Sequence, residues 1–297
     1  MPVTATVAVA LAAGLDALVA EPPRSLHPVA WFGRLVAPLD RAWSRPRLVG
    51  VGVALFPPLL AAAVVGVVVA LLPSRPAVVA AGLVCFVSTS RRLLLSEARR
   101  VVAESETDLP AARRDLRSLA GRDASTLSAG AVRSAAVESA AENLADGLVA
   151  PLAGFALLAP LSLPLGAAAA AWVKAVNTLD STLGYRTKPV GWAAARLDDA
   201  VMWLPARASA ALIALAAGRP GAPSAARPLA RRPDSPNSGW PMATLAAVLG
   251  VRLAKPDAYR LDAGPDLPTV ADARRGVRVV GRAGWVAFAL AGVVAWC

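Results

Sequence analysis

The sequence predicts an all-α, polytopic integral membrane bundle, and three observations point there. Residues of the set AVILMFWYC make up 56% of the 297-residue chain and charged residues only 17%, against about 25% charged in an ordinary soluble domain. The run Val49 to Leu72 holds 24 residues without a charge, enough to cross a hydrocarbon core of about 30 Å at about 1.5 Å per residue. The net charge is +11, and basic residues crowd the segments between apolar runs, as the positive-inside bias requires. In so apolar a chain the basic excess marks cytoplasmic loops rather than a nucleic-acid partner.

The elements follow in order. Residues 3–20 are apolar and lack the basic n-region of a signal peptide, so they read as a retained membrane helix. Residues 49–72 are the clearest span, with a kink expected at Pro57-Pro58. Residues 77–90 return after a Pro-rich turn. Residues 91–147 open with a basic amphipathic helical stretch. With residues 21–48 and 174–199, they form the polar regions assigned to the cytoplasmic side. Residues 148–173 are apolar but interrupted by Pro151, Pro160 and Pro164. A straight crossing would put the basic residues 174–207 outside, so a broken or re-entrant hairpin is expected. Further apolar segments are expected at about 200–217, 240–251 and 284–297. Residues 255–282 read as a polar loop, and no strand alternation is visible. All 297 residues read as one membrane-embedded domain.

Polar groups beside the apolar runs carry the chemistry. On a helix at about 100° per residue, Glu138, Ser139, Glu142, Asn143 and Asp146 fall within an arc of roughly 140°. Stacked carboxylates repel, and oxygen ligands on a rigid helix suit Mg²⁺, which takes one or two carboxylates plus substrate phosphates. The alternative is a solvated helix face. A second cluster places Lys174, Asn177, Thr178 and Ser181 on one face with Asp180 at its edge. Arg186 follows in a loop after Gly184. Cations beside carboxylates can hold a phosphate next to a metal, and the alternative is a polar helix end. Asp198 and Asp199 read either as a helix cap or as further ligands. Ser235-Pro236-Asn237-Ser238-Gly239-Trp240-Pro241 reads as a capped helix start, with or without an anion on its free N–H groups. The single histidine, His27, is either a general base or structural. There is no G-x-x-x-x-G-K-[ST], G-x-S-x-G or H-E-x-x-H motif. Two cysteines, Cys85 and Cys297, make no metal or disulfide pattern.

Taken together the motifs resemble a known family. They run in order as Glu21-Pro22-Pro23 with His27-Pro28-Val29; Gly121-Arg122-Asp123; and Glu138-Ser139, Ala141-Glu142-Asn143 and Asp146-Gly147. Then come Pro151-Leu152; Asn177-Thr178-Leu179-Asp180-Ser181 with Gly184-Tyr185; Ala195-Arg196-Leu197-Asp198-Asp199; Pro205-Ala206-Arg207; and Ser235-Pro236-Asn237-Ser238-Gly239-Trp240-Pro241-Met242. This is similar to the CobD/CbiB family of cobalamin biosynthesis, the adenosylcobinamide-phosphate synthases, from about Asp16 to Tyr259. It departs from the common family pattern at Ala124, where Thr is frequent, and at Arg232-Pro233-Asp234, where a histidine commonly precedes Ser-Pro-Asn.

The resemblance implies a multi-pass cell-membrane enzyme that joins (R)-1-aminopropan-2-ol, or its O-phosphate, to the free propionate of adenosylcobyric acid. ATP is the expected co-substrate and Mg²⁺ the expected metal, with an acyl phosphate between them. On this expectation Glu138, Glu142, Asp146 and Asp180 form a carboxylate–metal wall. Lys174, Arg122 and Arg186 clamp phosphate, and Asp198 or Asp199 receives the amine or its proton. Asn143, Asn177, Ser235, Asn237 and His27 complete the substrate-binding set. The expected partners are these two substrates, the lipid bilayer and other membrane enzymes of late cobalamin assembly. The competing reading is a non-catalytic transporter or sensor related to AmpE-like membrane proteins, because intramembrane carboxylates mark ion paths by default.

Overall fold

A computed structural model describes residues 2–19, 21–23, 25–121, 123–184 and 188–297. In chain order the helices are α1 (Pro2–Val19), α2 (Pro28–Val36), α3 (Pro46–Leu71), α4 (Ser74–Ser88), α5 (Arg92–Thr107), α6 (Leu109–Leu119) and α7 (Ala129–Leu144). They continue with α8 (Ala150–Leu158), α9 (Leu163–Leu183), α10 (Trp192–Val201), α11 (Trp203–Ala216), α12 (Ala222–Ala226) and α13 (Gly239–Leu249). Two short strands, β1 (Arg252–Lys255) and β2 (Tyr259–Asp262), precede α14 (Val270–Trp296). The all-α expectation holds. Four helical stretches are long and apolar enough to cross a membrane: Pro46–Leu71, Ser74–Thr107, Ala129–Leu158 and Val270–Trp296.

The chain forms two compact units, each assembled from separated segments. The first comprises Met1–Ser90, Asp146–Met202 and Phe288–Cys297; the second comprises Arg91–Ala145 and Trp203–Ala287.

In the first unit, α3 and α9 pack along one another. Val53, Ala54, Leu179, Leu183 and Ala194 form a core with Val36 of α2. The most apolar window of α3 is only 22% buried, and Phe56, Leu59, Val64 and Val67 face outward. Outward apolar side chains along a 26-residue helix suit lipid rather than water. The helix runs on through Pro57 and Pro58 without a break. Gly50 lets α3 approach the turn at Val190 so closely that a Cβ there would overlap the Val190 carbonyl. The proline-interrupted stretch is an antiparallel helical hairpin. Helix α8 turns through residues 159–162 into α9, with Gly154 against Ala169 and Gly166 against Ala159. Helix α8 is the last part of the continuous 30-residue helical stretch Ala129–Leu158.

In the second unit, α5, α6 and α7 pack together and α13 packs on α7 and α11. Side-chain caps start two of these helices. Asp108 accepts from Ala111 N at 3.0 Å and Ser128 from Ala131 N at 3.3 Å. Gly250, at φ +70°, ends α13 in the left-handed conformation, and its N–H bonds the Ala246 carbonyl.

One expectation fails in this unit. Residues 255–282 are not a polar loop. A hairpin pairs Arg252 with Asp262 and Lys255 with Tyr259, and α14 begins at Val270. The hairpin escapes period-two reading because its strands have four residues each. Only Leu253 and Leu261 are buried apolar strand positions. Helix α14 starts with a reciprocal cap. Thr269 N donates to Asp272 Oδ2 at 3.0 Å, and Asp272 N donates to Thr269 Oγ1 at 3.2 Å.

Candidate functional site

The first unit gathers charge around Lys174. Helix α9 carries this residue. The Glu21 and Asp146 carboxylates both lie within electrostatic reach of its ammonium. Burial pushes the Glu21 carboxyl up. Hydrogen bonds from His27 and Ser90, with the Lys174 charge, outweigh that and hold it below the usual carboxylate range. Ser90 N also donates to the Gly147 carbonyl at 2.8 Å. Asp146 itself stands in a π-helical turn, Ala145–Val149. π-Turns inside helices recur at functional sites.

His27 takes a positioning role. Its Nδ1 accepts from Val29 N at 3.2 Å, capping α2. That contact puts the ring proton on Nε2, which lies 3.5 Å from Glu21 Oε2. The ring is buried. His27 thus caps α2 and stands beside Glu21.

Beside Lys174 is an apolar cavity of about 180 Å³, lined by Phe32, Val65, Val84, Val87, Lys174 and Thr178 among others. Lys174 supplies the only charge among its lining residues. Asn177 is half-buried on the same helix.

Asp180 belongs to a second carboxylate group of this unit. It lies in the last turn of α9, past the apolar run that ends at Val173. Its carboxylate folds against Gly184 so closely that a Cβ there would overlap it. Burial, and then the Asp199 charge, push the Asp180 carboxyl up to about 6. Asp199 has Arg196 at 3.9 Å. Asp198 and Asp199 stand half-buried on α10.

In the second unit Glu138 is wholly buried. Ser134 Oγ donates to Oε1 at 2.7 Å and Tyr259 Oη donates to Oε2 at 2.8 Å. Ser134 Oγ in turn accepts from Ala254 N at 2.8 Å. Both carboxylate oxygens are thus engaged by groups that fix the hairpin to α7. Glu142 is half-buried on the same helix, and Asn143 Nδ2 donates back to the Ser139 carbonyl at 2.9 Å. Ser235 Oγ accepts from Asn237 N at 3.2 Å and from Ser238 N at 3.4 Å, a local turn. Asn237 Oδ1 accepts from Arg207 Nη1 at 2.9 Å. The Arg207 guanidinium lies 4.4 Å from the Trp203 ring centre and 5.1 Å from that of Trp240.

The sequence grouped Glu138, Glu142, Asp146 and Asp180 as a carboxylate–metal wall. Among the described residues no group of three or more His, Cys, Asp or Glu side chains stands where it could hold a metal ion. Glu138 accepts hydrogen bonds from Ser134 and Tyr259, and Asp146 stands in the π-helical turn. Arg122 and Arg186, expected as phosphate clamps, lie outside the described residues. Glu21, Ser134, Arg207 and Tyr259 were not among the expected site residues. Glu21 and Arg207 stand inside the motifs quoted above, whereas no spacing signals that Tyr259 meets Glu138 across 121 positions.

These features define a polytopic all-α membrane protein with buried, hydrogen-bonded carboxylates. The CobD/Cbib protein family matches residues 9–283, and the chain belongs to that family. It is 33% identical over 291 residues to a probable cobalamin biosynthesis protein CobD of Methanothrix thermoacetophila, covering 92% of this chain and 91% of the relative. It is 37% identical to the cobalamin biosynthesis protein CobD of Rhodobacter capsulatus, over 86% of this chain and 85% of the relative. It is 38% identical to the protein of that name from Mycobacterium tuberculosis, over 92% and 90%. No solved structure matches the chain.

Proposed function

We propose that this protein forms the amide bond between the free propionate of adenosylcobyric acid and (R)-1-aminopropan-2-ol or its O-phosphate. Adenosylcobinamide, or its phosphate, is the product. The single observation that carries the reading is the family match over residues 9–283, which joins this chain to relatives named for cobalamin biosynthesis.

The chemistry fits groups present in the chain. A carboxylate is a poor acyl donor. Attack of its oxygen on the γ-phosphorus of ATP gives an acyl phosphate and releases ADP. Attack of the amine nitrogen on the acyl carbon then forms the amide and releases phosphate, and the nitrogen's proton passes to a carboxylate. Lys174, a lining residue of an apolar cavity, is assigned to charge building on the transferring phosphoryl group. Arg122 and Arg186 are assigned the same role. Asp198 or Asp199 is assigned to the amine and its proton. The described residues offer no metal nest of three protein ligands, so Mg²⁺ is assigned to the ATP phosphates, with at most one or two carboxylates from the chain. ATP places the reacting face in the cytoplasm, where the basic segments also belong. The corrin is assigned to the apolar membrane edge, close to other membrane enzymes that complete cobalamin.

The test is direct. Purified protein in lipid nanodiscs is given adenosylcobyric acid, the amine or its phosphate, ATP and Mg²⁺. Amide product by mass spectrometry, with matching ADP release, is the expected result. Folded protein that yields neither overturns the ligase reading.

A further inference from the structure

The second unit carries a basic cavity that the reaction above leaves unassigned. It has a volume of about 660 Å³ and lies over the β1–β2 hairpin, within the size range of small-molecule sites. Four cations line it: Arg232, Arg252, Lys255 and Arg260. Two of them are already paired. Arg232 lies 3.0 Å and Arg260 3.4 Å from opposite oxygens of Asp262. Arg232 also donates to the Arg260 carbonyl at 2.8 Å, so this pair is fixed in place. Arg252 and Lys255 make no ion pair or side-chain hydrogen bond with the described residues. Asp257 is the one acidic residue lining the cavity.

The hairpin is built to hold these cations still. Lys255 O accepts from Ala258 N at 3.1 Å across a turn with Pro256 second and Asp257 third. Asp257 has φ +58°, the left-handed position that such a turn demands and that a non-glycine residue adopts at some cost. Beneath the cavity, Tyr259 and the Ala254 N–H tie the sheet to the buried Glu138–Ser134 pair. Lys255 flanks this turn, Arg252 and Arg260 stand on the paired strands, and Arg232 comes from outside the hairpin. Their surplus charge selects an anion, and fixed guanidinium groups favour the oxygens of a phosphate.

We propose that this cavity binds a phosphate-bearing small molecule, with Arg252 and Lys255 as its principal ligands and Arg232 and Arg260 framing them. Given the ligase reading on which it rests, the shared chemistry has two sources: the triphosphate of ATP and the phosphate of a phosphorylated amino alcohol.

The experiment measures equilibrium binding to the full-length protein in neutral-lipid nanodiscs. The probes are a non-hydrolysable ATP analogue, aminopropanol phosphate and unphosphorylated aminopropanol. The variant Arg252→Ala/Lys255→Ala should raise the dissociation constant for a phosphate probe about tenfold or more, since each alanine removes a charge-assisted contact. It should leave any binding of aminopropanol unchanged. The charge-retaining variant Arg252→Lys/Lys255→Arg should recover most of the loss, which a folding defect would not. Loss confined to the ATP analogue makes the ligand the nucleotide, and loss confined to aminopropanol phosphate makes it the amine substrate; either supports the site. Unchanged binding of both, or an effect seen only as weaker association with anionic-lipid vesicles, overturns it. Turnover separates the two readings. If wild-type protein makes no amide yet binding depends on these residues, the cavity stands and the ligase reading falls. If both proteins make amide with equal KM for ATP and amine, the cavity assignment falls and the ligase reading stands.

Discussion

Tyr259 Oη donates a 2.8 Å hydrogen bond to Glu138 Oε2, joining residues 121 positions apart. Glu138 is wholly buried, and Ser134 and Tyr259 both donate hydrogen bonds to its carboxylate. Tyr259→Phe removes one of these donors from a buried carboxylate. Stability should fall by about 1–3 kcal/mol. Hydrogen exchange should quicken at the Ala254 and Tyr259 amides before it quickens elsewhere in the second unit. Unchanged exchange at both would show that the latch contributes nothing.

Asp180 sets a pH dependence whose sign follows from its raised pKa. The folded state holds this proton up to about 6, against an ordinary value of 3.8. The contribution is therefore complete below about 3.8 and is lost as pH rises through about 6. Asp180→Asn should stabilise the protein relative to wild type at pH 8, with little difference at pH 4. Thermal unfolding at both values checks this, and an advantage that is equal at the two would contradict it.

Lys174 is the charged residue lining the apolar cavity in the first unit. If it stabilises a transferring phosphoryl group, Lys174→Met should lower kcat by about a hundredfold or more. Lys174→Arg should retain part of the rate. Steady-state kinetics of ADP release measure both, and a variant with wild-type kcat removes Lys174 from the chemistry.

Arg207 binds Asn237 Oδ1 and the Pro236 carbonyl while lying against Trp203 and Trp240. A lysine keeps the charge but loses the planar fork. Arg207→Lys should cost about 1–2 kcal/mol, read as a lower thermal midpoint. Tryptophan emission should shift at the same time, because two of the rings in contact report on the site.

The helices were legible where composition and punctuation agree. Val49–Leu72 appears as α3, and Pro160 and Pro164 bracket the turn between α8 and α9. A proline near a helix start loses no intrahelical bond, whereas within a hairpin it marks where the chain reverses. The start of α14 was legible as well, since Thr269 and Asp272 have capping-box spacing, but the scattered charges that follow concealed it. Contacts at the candidate site were not legible in the same way. A wheel at constant angle grouped Glu138, Glu142 and Asp146 and carried no sign of the π-turn between them. His27 was visible as the lone histidine; the hydrogen bond it accepts from Val29 N and its approach to Glu21 were not.

By itself, then, the sequence determined the solvent this chain folds in, the order of its helices and the family to which its motifs belong. Each of these depends on composition or short-range spacing. Only tertiary structure decided that Glu138 answers to Tyr259, that Lys174 sits between Glu21 and Asp146, and that Arg252 and Lys255 share a cavity. Burial and hydrogen bonding depend on which distant segments meet, and local spacing carries no information about that.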